Sequence, residues 1–283
     1  MIDRQRPQAC SIRRGCQVID LPRSTYYYRP SAAERQTDDL ALVGMIDDIH
    51  DEFPGYGYRR VTLELKARGH VINHKRVARI MKTYSLHAHR RRRFKPAKGF
   101  EADLCVYPNL YRNNIPTEPD RVWVADITYI RVASGFVYLA VILDACSRKV
   151  IGYALSQQID TPLALAALNA AYTARQPAEG TCIHHTDRGC QYASRLYRDA
   201  LAQFGLIGSM SAPANPYNNA QAESFMKTLK VEEVYLAGFE TFRDVVNRLP
   251  YFIEQIYNER RMHSALGYQS PNKFEAQLAR QAA

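Results

Sequence analysis

The stretch "RVWVADITYIRV", residues 121 to 132, is where the chain changes character. Valine, isoleucine, tyrosine, tryptophan and threonine dominate it, the composition of a strand packed into a core. Asp126 stands in its middle. An unpaired carboxylate in a low-dielectric interior either costs several kcal/mol or takes up a proton. A strand that keeps one asks for a compensating cation.

Outward from that strand, "GFVYLAVILDACS" and "KVIGYALS" read as two more, joined by a turn at Asp144–Arg148. "TPLALAALNAAYTAR" reads as a helix with Thr161 as its cap and Pro162 in its first turn. "GTCIHHTD" is a fourth strand and "SRLYRDALAQFG" a helix. After the loop "MSAPANPYNN", the segment "AQAESFMKTLKVEEVY" reads as a helix carrying Glu223, and helices over about 241–263 and 271–280 follow. This order is an α/β layered fold whose first three strands form an antiparallel meander, an order shared with ribonuclease H-like domains. In such a mixed sheet the first and fourth strands are neighbours, so Asp126 and the strand-end Asp187 meet at one edge.

Asp187 lies in "HHTDRGCQY", residues 184–192. Gly189 lets the chain turn away without covering the acid, and His184, His185 and Gln191 are placed to orient it or to meet phosphate. Zinc on these histidines with Cys182 and Cys190 matches no standard ligand spacing. A lone strand-end aspartate more commonly caps a turn. Together with Asp126 and Glu223 it forms a hard oxygen-donor set suited to Mg²⁺ or Mn²⁺. Residues 188–222 number 35, which makes the last two acids D-x35-E. Lys227 and Lys230 follow Glu223 at i+4 and i+7, either as a surface salt-bridge ladder or as contacts to a phosphate backbone.

The amino-terminal part differs in charge. Residues 1–118 hold 22 lysines and arginines against 13 acids, whereas residues 119–283 hold 16 against 15. A basic module joined to a nearly neutral one implies a polyanion-binding part and a working part. Residues 1–35 read as a small helical arm with Ser24 as a cap. Over 36–90, "DDLALVGMIDDIHDEF" is amphipathic through Leu42, Val43, Ile46 and Ile49. A helix then stops at Gly69, and Asn73 caps the next. That helix turns Val77, Ile80, Met81 and Tyr84 inward and presents Lys75, Arg79 and Lys82, the pattern of a helix-turn-helix. Residues 91–118, with Arg91, Arg92 and Arg93 at their start and Arg90 just before them, read as a basic linker that touches nucleic acid. Near the other end "NERRMHSALGYQSP" gathers Arg260, Arg261 and His263 at a helix terminus, a solvated end or a DNA contact.

These pieces resemble one family. "YGYRRVTLELKARGHVINHKRVARIMK", "VWVADITYI", "HHTDRGCQY", "NPYNNAQAESFMKTLKVE" and "YNERRMHSALGYQSP" together resemble the B-frame (OrfB) transposases of the insertion-sequence-three family, within the retroviral-integrase-like DDE superfamily. The resemblance covers nearly the whole chain. It implies a ribonuclease H-like catalytic domain over 119–283 and a catalytic, metal-holding triad of Asp126, Asp187 and Glu223, with Lys230 as the basic residue of the glutamate helix. It further implies two metal ions ~3.5–4 Å apart per active site, cleavage at the terminal inverted repeats and joining to target DNA. It also implies a homo-oligomer on double-stranded DNA and a possible A-frame partner protein. The His-His-Cys-Cys zinc module of retroviral integrases is not matched, since His70 and His74 lack the paired cysteines. Tyr26, Tyr27 and Tyr28 lack the Arg/His setting of a tyrosine recombinase and read as packing or DNA contacts.

A ribonuclease H-like nuclease and a catalytically silent DNA-binding regulator are the rival readings. The basic amino-terminal module weighs against the first and the intact acids against the second. Six cysteines without a C-x-x-C pair, no apolar signal core and no membrane-length apolar run imply a reduced, cytoplasmic protein without a membrane partner.

Overall fold

The structure is a computed structural model that describes residues 12–18, 22, 32–86, 88, 107–111, 115–211 and 219–282, without the side chains of 32–38 and 282. Ser24, Tyr26–Tyr28, Arg90–Arg93 and the loop 212–218 lie outside the described residues. The chain forms two compact units, Met1–Asp51 with Val61–His87, and Glu52–Arg60 with Ala88–Ala283.

The first unit is helical. Helix α1 spans Ile12–Val18, α2 Ala32–Glu52, α3 Tyr58–Ala67 and α4 His74–Thr83. Leu42, Ile46 and Ile49 of α2, Val61 and Leu65 of α3, and Val77, Ile80 and Met81 of α4 are all buried, as the 3.6-residue period requires. Gly69 follows α3 at φ +91°, a backbone that favours glycine. The Asn73 side chain accepts a hydrogen bond from the Lys75 amide at 2.8 Å and so begins α4.

The second unit is built on a mixed sheet in the order β3-β2-β1-β4-β5. Its strands are β1 Val122–Val132, β2 Gly135–Asp144, β3 Val150–Ser156, β4 Ile183–Thr186 and β5 Ile207–Met210. The first three form the antiparallel meander, while β4 and β5 run parallel to β1 and to each other. Strand β5 is an addition to the sequence reading. Its four residues, "IGSM", are too short and glycine-weakened to show a strand period. Its outer edge is covered by residues 107–111: the Met210 amide donates to Pro108 at 3.3 Å, and the Leu110 amide to Ser209 Oγ at 2.9 Å.

Helix α5 (Thr161–Arg175) lies on β2 and β3. Asp160, and not Thr161, caps it, its carboxylate accepting from the Leu163 amide at 3.0 Å. An aspartate one residue earlier makes the stronger cap and leaves threonine inside the helix. Alanines 164, 167 and 171 let α5 sit close to Gly152 of β3, where a Cβ would stand 2.5 Å from both the Ala167 oxygen and the Ala171 nitrogen. Helices α6 (Cys190–Ala193) and α7 (Arg195–Gln203) complete that face around the buried Trp123, Tyr192 and Tyr197.

Helix α8 (Ala220–Leu229) covers the other face, against β1 and β2, and continues as π-helix through Lys230–Val234. The long helix expected to about residue 263 is α9 (Phe242–Tyr251) followed by π-helix over Phe252–Arg260. Pro250 inside α9 cannot donate to the helical ladder, and the winding changes just after it. Helix α10 spans Pro271–Ala282. Among the described residues no helix is long and apolar enough to cross a membrane.

Because the α5 backbone sits where a Gly152 methyl would go, Gly152→Ala should cost about 1–3 kcal/mol. Thermal unfolding reads this as a lowered Tm, whereas Gly180→Ala, with open space around it, tests only the strain of its positive φ.

Candidate active site

The pairing of β1 with β4 brings the two aspartates together. Val122 pairs with Ile183, Trp123 with His184 and Val124 with His185. Continued two residues further, the same register sets Asp126 opposite Asp187. Asp126 is half-buried, and its Oδ1 accepts from the Ile127 amide at 2.8 Å. Asp187 is exposed just beyond β4, and its Oδ1 accepts from the Gly189 amide at 2.9 Å.

Glu223 is exposed in the first turn of α8. Two buried amides fix that turn. Asn219 Nδ2 donates to the Ala125 carbonyl and Gln221 Nε2 to the Ala145 carbonyl, each at 3.0 Å. The helix start is thereby tied to the residue before Asp126 and to the end of β2. The sequence reading missed both residues; the signal was a pair of amides opening a helix that is otherwise apolar on its inner face.

The electrostatics match the geometry. Burial first, then the charge of Asp187, and more weakly that of Glu223, push the Asp126 carboxyl up to about 7, against the Ile127 amide and Lys230. Burial raises Glu223 as well, and it lowers Lys230 against the attraction of Asp126. Among the described residues no three His, Cys, Asp or Glu side chains stand close enough together to hold a metal ion. The donor chemistry still fits Mg²⁺ or Mn²⁺, because all three groups are carboxylates and two are exposed.

Asp144 shows what a structural acid looks like. It is fully buried, and burial raises it to about 6, but the amides of Asp120, Cys146 and Ser147 all donate to it at 2.6–2.9 Å. It closes the β2–β3 turn.

Several expected site residues are placed elsewhere. His184 and His185 do not line the acids. Strand β4 is covered on both faces, so His184 Nε2 meets the Tyr197 hydroxyl at 2.8 Å, and the His185 ring lies between Ser209 Oγ (2.9 Å) and Ser211 Oγ (3.1 Å). Burial, with His185 beside it, pulls His184 down to about 3, so it is neutral. Gly189 has an ordinary φ of −57°. What it supplies is room, since a Cβ there would lie 3.0 Å from Asp187 Oδ1 and from Gln191 Oε1.

The carboxy-terminal cations are also redrawn. Arg261 is buried and bidentate to Glu232 at 2.6 and 2.7 Å, and His263 is buried against Tyr257. Neither is exposed to DNA. Arg260 pairs with Glu52 and lies over the Phe53 ring. Close by, the buried Tyr56 hydroxyl accepts from the Met262 amide at 2.8 Å. Lys227 is exposed and Lys230 half-buried beside the acids.

In the helical unit Lys75 and Lys82 are exposed. Arg79 is bound at 2.9 and 3.1 Å to the buried Asp39, which Arg76 shares. Burial would raise Asp39, but the hydrogen bonds of these two arginines outweigh it and hold it below the ordinary value.

Comparison with known proteins agrees. Residues 116–216 match an integrase core domain, residues 205–271 match a second integrase core model, and residues 36–94 match an HTH-like domain. The transposase for insertion sequence element IS904 of Lactococcus lactis is 38% identical over 250 residues, covering 87% of this chain and 97% of its own. Transposase InsF for insertion sequence IS3A of Escherichia coli is 36% identical over 276 residues, covering 94% of both chains. A 31 kDa protein of insertion element IS600 from Shigella sonnei is 36% identical over 273 residues, covering 95% and 100%. The chain belongs to the insertion-sequence-three family of transposases. It is a DNA transposase of the integrase, polynucleotidyl-transferase type, in a metal-dependent family, with a helix-turn-helix DNA-binding region ahead of the mixed-sheet core.

Two outcomes follow for this transposase. The raised Asp126 carboxyl stabilises the fold fully below the unfolded value near ~4, and this contribution is lost as pH rises through about 7. Without divalent cations, Tm should therefore fall between about pH 4 and 7, fall less in Asp126→Asn, and be restored at pH 8 by Mg²⁺ in the wild type alone. Arg261→Ala, which strands Glu232 in the interior, should cost roughly 3–5 kcal/mol in denaturant unfolding.

Proposed function

We propose that this transposase cuts the ends of its insertion element and joins them to target DNA at a DDE centre formed by Asp126, Asp187 and Glu223. What supports the reading is the β1–β4 register, which runs Asp126 toward Asp187, and the tie between β1 and the start of the helix that carries Glu223. Burial first, and then the charge of Asp187, raise Asp126 to about 7.

The three carboxylates would hold Mg²⁺ or Mn²⁺, two ions per site. Bound there, the cations supply Lewis-acid stabilisation of phosphate charge and a more acidic water. The chain's own residues do the positioning. Gly189 keeps the Asp187 carboxylate uncovered, and Lys227 and Lys230 hold the phosphates of the strand beside it. Cleavage forms a bond from a water oxygen to phosphorus and breaks the bond from phosphorus to the 3′ oxygen at the element end. The freed 3′-hydroxyl then attacks a target phosphodiester in the same sense, with no side-chain nucleophile in either step.

Lys75, Lys82 and Arg79 on α4, with Arg90–Arg93 beyond the described residues, serve as contacts to the terminal inverted repeats. Joining two ends calls for a homo-oligomer on DNA, and an A-frame protein is the expected partner of a B-frame chain. The protein works in the cytoplasm, on the nucleoid.

The experiment is strand cleavage and joining on a labelled duplex carrying the terminal repeat. Wild type should give joined product with Mg²⁺ and none with EDTA, and Glu223→Gln should fall to the EDTA level. Cleavage without joining, even with the A-frame protein added, would leave a nuclease instead.

A further inference from the structure

The hairpin joining β1 to β2 carries two large side chains that the core does not use. Tyr129 is 41% exposed and Phe136 50% exposed. They stand diagonally across the two strands with rings edge to face, centroids 5.5 Å apart at 89°. Single exposed apolar residues need no explanation. This pair stands out because of its surroundings.

Strand β4 accompanies β1 only as far as Val124. Among the described residues, β1 from Asp126 onward has no strand on that side. Tyr129 lies three residues past Asp126, about 10 Å along the strand, and its side chain leaves the opposite face, so that only the open edge connects the two. Lys230 spans the interval: its Nζ is 4.7 Å from the Tyr129 ring centroid, and it stands within electrostatic reach of Asp126. Arg131, paired across the hairpin with Phe136, and Lys227 are exposed as well. No acid occurs between Asp126 and Asp144. A DNA strand leaving the carboxylates along this open edge meets cations and then aromatic rings.

Paired and stacked DNA hides its base faces, so exposed rings gain little from an intact duplex. They gain from a base that has left the stack, and that gain is largely indifferent to sequence. We propose that Tyr129 and Phe136 form a stacking platform for a nucleobase unpaired from the DNA beside the reacting phosphodiester, with Lys230 on the adjoining phosphate. The proposal rests on the reading of Asp126, Asp187 and Glu223 as the strand-cutting centre. Cation and aromatic ring act together, because Lys230 over Tyr129 keeps the ring in place while it neutralises the backbone.

The test uses the full chain in EDTA with two probes, a blunt duplex and the same duplex ending in a short single-stranded overhang that contains 2-aminopurine. The wild type should quench the 2-aminopurine. Tyr129→Ala and Phe136→Ala should lose the quench and bind the overhang roughly tenfold more weakly, with the blunt duplex unaffected. Tyr129→Trp should retain both. The alanine deficit should persist at raised salt, where the deficit of Lys230→Gln shrinks. Melting temperatures of the alanine variants should match the wild type, since both rings are exposed.

Equal overhang binding by wild type and alanine variants overturns the platform, as does an equal loss on both probes. It is also overturned if Tyr129→Ala abolishes a dimer that forms without DNA, for then a second copy covers the rings. Cleavage of the terminal-repeat duplex in Mg²⁺ is scored separately. Quenching without cleavage upholds the platform and sinks the catalytic reading, whereas cleavage without ring-dependent quenching sinks the platform alone.

Discussion

The parallel pairing of β1 with β4 is the constraint from which the rest of the second unit follows. Three residue pairs set a register that, continued two residues beyond the last pair, places the two aspartates opposite each other. Two carboxylates so placed repel, and the inner one cannot shed its charge into solvent. Every neighbouring feature limits that strain without removing it. Gly189 leaves the outer carboxylate room, the Ile127 and Gly189 amides donate to the pair, and Lys230 lends a partial counter-charge. The contrast with Asp144 is instructive, since that buried acid is supplied with three amide donors and closes a turn.

Rigidity around the acids comes from polar groups as much as from the apolar core. Asn219 and Gln221 anchor the glutamate helix through backbone carbonyls of β1 and the β2 turn. His185 joins β4 to β5 through two serine hydroxyls, and the Ser211 amide and hydroxyl both donate back to the Thr186 carbonyl, one residue before Asp187. Buried hydrogen bonds fix direction as well as distance, which apolar contact alone does not. That is what a site needs when its side chains must hold position against their own repulsion.

Much of this is legible in the residues alone. Strand and helix periods are local, so β1 to β4 and helices α2 to α5 could be read from composition and caps, and Asp126 advertised itself as a charge in an apolar run. The interval of 35 residues between Asp187 and Glu223 carried the third acid. The errors were equally physical. Strand β5 is too short to show a period, and Asp160 competed with Thr161 for a cap that only hydrogen bonding could award. The π-helical turns after Leu229 and Tyr251 leave no mark in the apolar pattern.

The amino-acid sequence by itself determined which acids are present, which segments become strands or helices, and that the basic charge is concentrated in the first two fifths, because these depend on residue type and short-range spacing. Only the tertiary structure decided which polar groups face solvent. Arg261 and His263 look like DNA contacts in the chain and are buried in the fold, the first bonded to Glu232, twenty-nine residues earlier. His184 and His185 look like site residues and are interior ones. Burial and partnership are set by elements far apart in the chain, and a one-dimensional pattern carries no record of which of them will meet.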